Sequence, residues 1–123
     1  MAEITVDIDT DRELTVCKVV GEMKRGEIAM RLGGEKMQRP SRLLLIDLQL
    51  ATSSERGAET MMERAMTYGA LFSAPGSRTA LVYADEAGFG IGRMLEGYFE
   101  ALEIETELRS FRDPQQAMDW LLE

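Results

Sequence analysis

Leu43-Leu44-Leu45-Ile46-Asp47-Leu48 is the stretch whose reading decides the fold. Successive side chains of a strand point to opposite faces, so four adjacent apolar residues place apolar groups on both. A strand of that kind is usually central in a parallel sheet, with helices covering each side. Pro40 stands just upstream and the polar loop Ala51-Thr52-Ser53-Ser54 just downstream, so the apolar run is bounded on both sides.

Downstream, apolar residues recur with the helical period. Ala58, Met61, Met62, Ala65, Met66, Gly69 and Phe72 fall on one stripe of a helix spanning 54–73. Ser53 or Ser54 would cap its N-terminus, and Pro75-Gly76 closes the connection. Thr79 to Ala84 is a second short apolar strand, ended by Asp85. The helix over 88–102 presents Ile91, Met94, Leu95, Tyr98, Phe99 and Leu102. Ile104 to Phe111 alternates, with Glu105, Glu107 and Arg109 on one face, which suits an edge strand. Asp113, Pro114 and Gln116 supply an N-cap, a first-turn proline and a capping-box partner for a last helix that buries Ala117, Trp120 and Leu121.

Upstream, Ile4, Val6 and Ile8 alternate with Thr5 and Asp7. The alternation resumes from Leu14 to Val20, so residues 3–21 read as an antiparallel hairpin around Asp9-Thr10-Asp11-Arg12, ended by Gly21. Residues 23–38 read as a broken or closely packed helix. Met23, Met30 and Met37 line it beside Ile28 and Leu32, while Gly26, Gly33 and Gly34 each oppose it by about 1 kcal/mol relative to Ala.

The order is therefore ββαβαβαβα: an α/β chain with an N-terminal β-hairpin, then βα units in one mixed, mostly parallel sheet flanked by helices. With 123 residues and no linker or repeat, residues 1–123 are expected to form a single domain. A net charge of -8 argues against nucleic acid, whose phosphates need a basic footprint. No apolar run approaches the roughly 20 residues that span a bilayer, so membrane insertion is not expected. Met1-Ala2-Glu3-Ile4 lacks the basic start and long apolar run of a signal peptide. One cysteine, Cys17, rules out an internal disulfide and suits a reducing, cytoplasmic location. The chain has no histidine, which removes Ser-His and Cys-His nucleophilic pairs and histidine-containing zinc sites. Neither catalysis nor a cofactor is expected.

Three segments resemble the bacterial SpoIIAA-like family: Arg78-Thr79-Ala80-Leu81-Val82-Tyr83-Ala84-Asp85, Phe89-Gly90-Ile91-Gly92-Arg93-Met94, and Phe111-Arg112-Asp113-Pro114-Gln115-Gln116-Ala117-Met118-Asp119-Trp120-Leu121. The resemblance implies a STAS-type fold, related in architecture to lipid-binding CRAL-TRIO domains. It also implies kinship with anti-sigma factor antagonists, in which a partner kinase phosphorylates a serine at the start of the helix after the central strand. Thr52-Ser53-Ser54-Glu55-Arg56-Gly57 stands at the matching place, making Ser53 and Ser54 candidate phosphorylation sites. The aspartate of the usual Asp-Ser-Ser-Gly motif is missing, Glu-Arg precedes the glycine, and Glu55 would repel a phosphate on Ser54.

In open α/β sheets, ligands favour the crevice outside the carboxyl ends of the strands. That edge carries residues 47–54 and 85–93, so Asp47, Asp85, Phe89, Gly90 and Arg93 form a candidate ligand or partner rim. Two helix N-termini meet an anion there and Arg93 adds a fork of donors, although Ser53, Ser54 and Asp85 serve equally well as plain caps. Gly88-Phe89-Gly90-Ile91-Gly92 is not a dinucleotide fingerprint, because position 93 is arginine; close packing or a tight turn accounts for it. Asp47 and Asp85 lack a third metal ligand. Met61, Met62, Met66 and Met94 lie on apolar helix faces and are expected in the core, with a lipid-like pocket or a dimer face as the other reading. The leading expectation is a non-enzymatic STAS-like regulatory module acting through protein contacts, with itself as a homodimer or with another protein. The alternative is a carrier of a small apolar or anionic, lipid-like ligand at the rim. The module predicts a flat patch; the carrier predicts a pocket of several hundred Å³.

Overall fold

The computed structural model describes residues 2–24, 27–33, 39–53 and 58–123. Five strands form one sheet: β1 (Glu3–Asp9), β2 (Leu14–Met23), β3 (Leu43–Ser53), β4 (Ser77–Val82) and β5 (Thr106–Phe111). The helices are α1 (Glu27–Gly33), α2 (Ala58–Phe72), α3 (Glu86–Ala101) and α4 (Pro114–Leu121). The strands lie side by side in chain order, β1-β2-β3-β4-β5. Only β1 and β2 are antiparallel; the other three pairings are parallel. The apolar stretch is the middle strand, and Leu43, Leu44, Leu45 and Ile46 are all buried.

Crossovers between parallel neighbours are right-handed, so a sheet that always steps the same way puts its crossover helices on one face. One core cluster accordingly joins Ile28 and Leu32 of α1, Met61 and Phe72 of α2, and Leu95 and Phe99 of α3 to Cys17, Leu44, Ile46 and Leu81. The opposite face has α4 alone. There Ala117, Trp120 and Leu121 cover Leu14, Leu43, Leu45, Ala80 and Val82. Arg78 lies over the Trp120 ring at 5.2 Å and donates to the Trp120 carbonyl at 2.7 Å, tying this helix to β4.

Several boundaries differ from the sequence reading. Gly21 does not end β2; it continues to Met23, with Gly21 at φ 97 beside a register shift between Lys18 and Val20. Glycine takes that backbone without penalty, so the strand bends and carries on. Met23 therefore belongs to a strand, and Met30 of α1 faces solvent; the buried face of α1 is Ile28, Ala29 and Leu32. Met37 lies outside the described residues. Asp113 caps α4 by accepting from the Gln115 N–H at 2.8 Å. No reciprocal Gln116 bond occurs among the described residues; Gln115 instead donates to Asp119, at 2.9 Å.

The parallel strands begin at a shared lower edge, and Arg39 gathers it. Its Nε donates to the Ser41 carbonyl at 2.7 Å. One terminal nitrogen reaches the Phe72 carbonyl at 2.6 Å, Thr79 Oγ1 at 3.0 Å and Thr106 Oγ1 at 3.4 Å. The other reaches the carbonyls of Arg42 and Arg78, at 3.1 and 3.0 Å. These groups come from the segment just before β3, the starts of β4 and β5 and the end of α2. Burial lowers the guanidinium from its ordinary value to about 10, so it stays charged at neutral pH.

Removing this side chain leaves several part-buried acceptors without a donor. Arg39→Ala is expected to cost about 2–4 kcal/mol, read as a lower urea midpoint at unchanged slope. Arg39→Lys recovers only part of that, because an ammonium offers three donors instead of a five-donor fork.

Candidate functional site

The rim residues occupy the upper edge of the sheet without forming one cluster. Asp47 pairs in register with Val82, placing it beside the end of β4. By strand alternation it shares the α4 side with Leu43 and Leu45. Its Oδ1 accepts from the backbone N–H and side-chain amide of Gln49, both at 3.0 Å. Asp85 caps α3, accepting from the Gly88 N–H at 2.8 Å. Arg112 pairs with Glu86 and donates to the Ala84 carbonyl at 3.0 Å, fastening the end of β5 to the start of α3. Phe89 packs half-buried against the larger core cluster. Gly90 is exposed, with open space where a Cβ would stand. Arg93 is exposed and lies 3.9 Å from Glu96. Ser53 is the last residue of β3, and Ser54 lies outside the described residues. Among the described residues, no group of three or more acidic or cysteine side chains could hold a metal.

The larger feature lies under this edge. A cavity of about 510 Å³ opens between α2, α3 and the sheet. Ile46 and Leu48 of β3, Leu81 of β4 and Leu108 of β5 form its floor, with Leu95 and Phe99 of α3 beside them. These strand residues share the face that α1, α2 and α3 cover. Ala51, Thr52, Ala87 and Gly88 extend the lining to the rim segments. Sequence reasoning placed a ligand at the rim because ligands in open α/β sheets favour the crevice outside the carboxyl ends of the strands, which forms where the strand order reverses. This sheet has no reversal, and the open space lies inside, between helix layer and sheet.

The methionines follow from this layout. Met61 is buried, whereas Met62, Met66 and Met94 are exposed. A helical stripe shows which way a helix faces, but not how wide a strip its neighbours cover. Met94 and the partly exposed Ile91 also line the cavity, where α2 and α3 do not fully cover the sheet.

Four polar side chains line the cavity without having been singled out from sequence: Lys24, Arg64, Tyr68 and Tyr83. Arg64 follows Met61 by three residues, and an arginine inside an apolar stripe is the signal that would have found it. Tyr83 sits just beyond β4, only 8% exposed. Burial pushes its hydroxyl above the ordinary tyrosine value, Arg64 pulls the other way, and Tyr68 and Glu96 add to the rise. The glycine tract explains its placement. A Cβ at Gly88 would stand 2.7 Å from Tyr83 Cδ1, and one at Gly92 would stand 2.6 Å from Tyr83 Cε2 and fall on Ser110 Oγ. The two glycines thus let α3 lie directly on the tyrosine ring and β5. Close packing is their role, and Gly90 takes no part in it. Cys17 is buried in β2, and its burial pushes the thiol up to about 11, against a smaller opposing pull from Arg31. A thiol so held is a poor nucleophile at neutral pH.

No protein-family model matches the chain, and no curated protein matches it. Two solved structures are similar throughout their length. An uncharacterized protein of the DUF3478 family with a SpoIIAA-like fold, from Shewanella loihica PV-4, aligns with a TM-score of 0.56 at 20% identity, covering 98% of this chain and 93% of that one. An anti-sigma factor antagonist from Mycobacterium paratuberculosis aligns with a TM-score of 0.57 at 15% identity, covering 100% of this chain and 96% of that one. The fold is SpoIIAA-like, of the STAS type.

Two glycines of α3 separate packing from propensity. Gly92→Ala pushes against Tyr83 and Ser110 and is expected to destabilise by about 1–3 kcal/mol. Gly97→Ala meets open space and is expected to stabilise by about 0.5–1 kcal/mol through helix propensity. Paired urea titrations read both.

Proposed function

We propose that this SpoIIAA-like fold serves as a non-enzymatic binding module that carries a small apolar, lipid-like molecule between its helix layer and its sheet. The cavity of about 510 Å³ is the observation that supports this. Its size falls within the range of about 300–1,000 Å³ usual for small-molecule sites, and its lining is mostly aliphatic and aromatic with a few polar groups, as such sites are. Transfer of an alkyl chain into such a space gains roughly 0.8 kcal/mol per buried CH₂, before the cost of association. A catalytic reading has little to draw on: the chain has no histidine, and its one thiol is buried. The rim segments 47–54 and 85–93 serve in this reading as the way in, because Ala51, Thr52, Ala87 and Gly88 line the cavity from that side.

A second reading, a regulatory module acting through protein contacts and self-association, draws on the whole-length likeness to an anti-sigma factor antagonist. Exposed Met66, Ile91 and Met94 on α2 and α3 suit a contact surface. Phosphorylation at Ser53 or Ser54 belongs to this reading, and so do a homodimer and a cytoplasmic setting.

Native mass spectrometry of protein purified without denaturation separates the two. The carrier reading expects the 13.8 kDa chain to hold a small apolar adduct that organic solvent removes. A bare chain that also takes up no 1-anilinonaphthalene-8-sulfonate overturns it. The contact reading expects a species of twice 13.8 kDa without adduct. Filling the space with Ile91→Trp is expected to cut dye uptake several-fold while leaving the far-ultraviolet circular dichroism unchanged.

A further inference from the structure

Resting on the carrier reading, we propose that the cavity selects a single-chain amphiphile with an anionic head, of the fatty-acid type, and that the Tyr83 hydroxyl and the Arg64 guanidinium are its head-group contacts. The first argument is charge. The chain has 22 acidic and 14 basic side chains, so a randomly drawn lining would favour acids. The described lining instead contains Lys24 and Arg64 and no aspartate or glutamate. A cationic head would meet like charge there and find no carboxylate.

The second argument is the state of Tyr83. Its side chain is 8% exposed and lines the cavity. No hydrogen bond to its hydroxyl occurs among the described residues, and that oxygen is not among the fully buried unpartnered atoms, so its donor is open to the cavity. An acceptor brought by an occupant takes that donor. Arg64 lines the same cavity and acts electrostatically on that hydroxyl, so a carboxylate placed between them receives a phenolic O–H and a charge-assisted guanidinium bond. Arg64 also lies 3.8 Å from the Met61 sulfur. Glu96, the acidic group that acts on Tyr83, is not part of the described lining; its carboxylate accepts the Ser110 N–H at 3.2 Å and lies 3.9 Å from Arg93.

The third argument is shape. Apart from these groups, Thr52 and Tyr68, the walls are apolar, including Leu48, Leu81, Leu95, Leu108 and Phe99. At about 30 Å³ for each non-hydrogen atom, the liquid share of one water, the space suits roughly 15–20 such atoms. That matches one alkyl chain with a compact head, and is small for a two-chain lipid.

The test compares dodecanoate, dodecan-1-ol and dodecylamine by titration calorimetry on the full chain. Dodecanoate is expected to bind at least tenfold tighter than the alcohol, with the amine weakest. Tyr83→Phe keeps the ring against Gly88 and Gly92, and is expected to lower dodecanoate affinity about tenfold while leaving the alcohol unchanged. Arg64→Met is expected to shrink the acid-to-alcohol ratio in the same way. Equal binding of all three compounds, or a ratio that survives both substitutions, overturns the head-group assignment and leaves the carrier reading intact. Binding of none of the three overturns both.

Discussion

One guanidinium holds the lower edge of this sheet together. Three parallel strands start there, and parallel starts leave carbonyls pointing into a space that solvent only partly reaches. Arg39 meets six acceptors from β4, β5, α2 and the segment before β3. Its planar fork can do this because its donors diverge in fixed directions. No carboxylate is among these partners, so the charge is balanced by dipoles. The buried hydroxyls beside it are partnered too: Ser77 Oγ donates to the Ala74 carbonyl at 2.7 Å, and Thr79 and Thr106 meet at 3.0 Å. With that end fixed, the helix layer leaves its space toward the other end of the sheet.

The position of that space follows from the strand order. A sheet that steps steadily from β1 to β5 receives its crossover helices on one side. The other side has a single short helix, closed by Trp120 with Arg78 over its ring. Under the helix layer, α3 is drawn down onto Tyr83 and Ser110 by Gly88 and Gly92. Gly69 does the same for α2, since a Cβ there would stand 3.0 Å from Ile104 Cγ1. Both helices therefore seat closely at particular points, and the cavity lies between those points and not along the whole interface.

Much of this was legible in the residues. Four consecutive apolar positions identified the middle strand, and Asp85 and Asp113 marked two helix starts. The glycine tract read as close packing or a tight turn, because its spacing fits no phosphate loop, and the packing alternative is what Gly88 and Gly92 show. The exposure of Met62, Met66 and Met94 was not legible, since periodicity gives a direction and the covering neighbours give a width. Arg39 was not legible either. Its acceptors lie up to 67 positions away along the chain, and nothing local marks it. The rim residues were placed on the correct edge, yet Asp47 belongs to the α4 side while the open space is on the other. Tyr83 went unnoticed because one tyrosine after an apolar strand looks like ordinary core, and only the fold shows that it lines a cavity beside Arg64.

Burial of the middle strand on both faces also bears on how such chains diverge. Leu43 to Ile46 have no side turned to water, so a polar replacement at any of the four strands a polar group in the core. On β1 and β5 every second position faces outward and drifts at little cost. Substitutions therefore accumulate from the margins of the sheet inward. A lineage can rewrite most of its letters and keep its backbone, provided a short central run stays greasy. Ancestry in such a lineage is better preserved by the path of the chain than by its spelling.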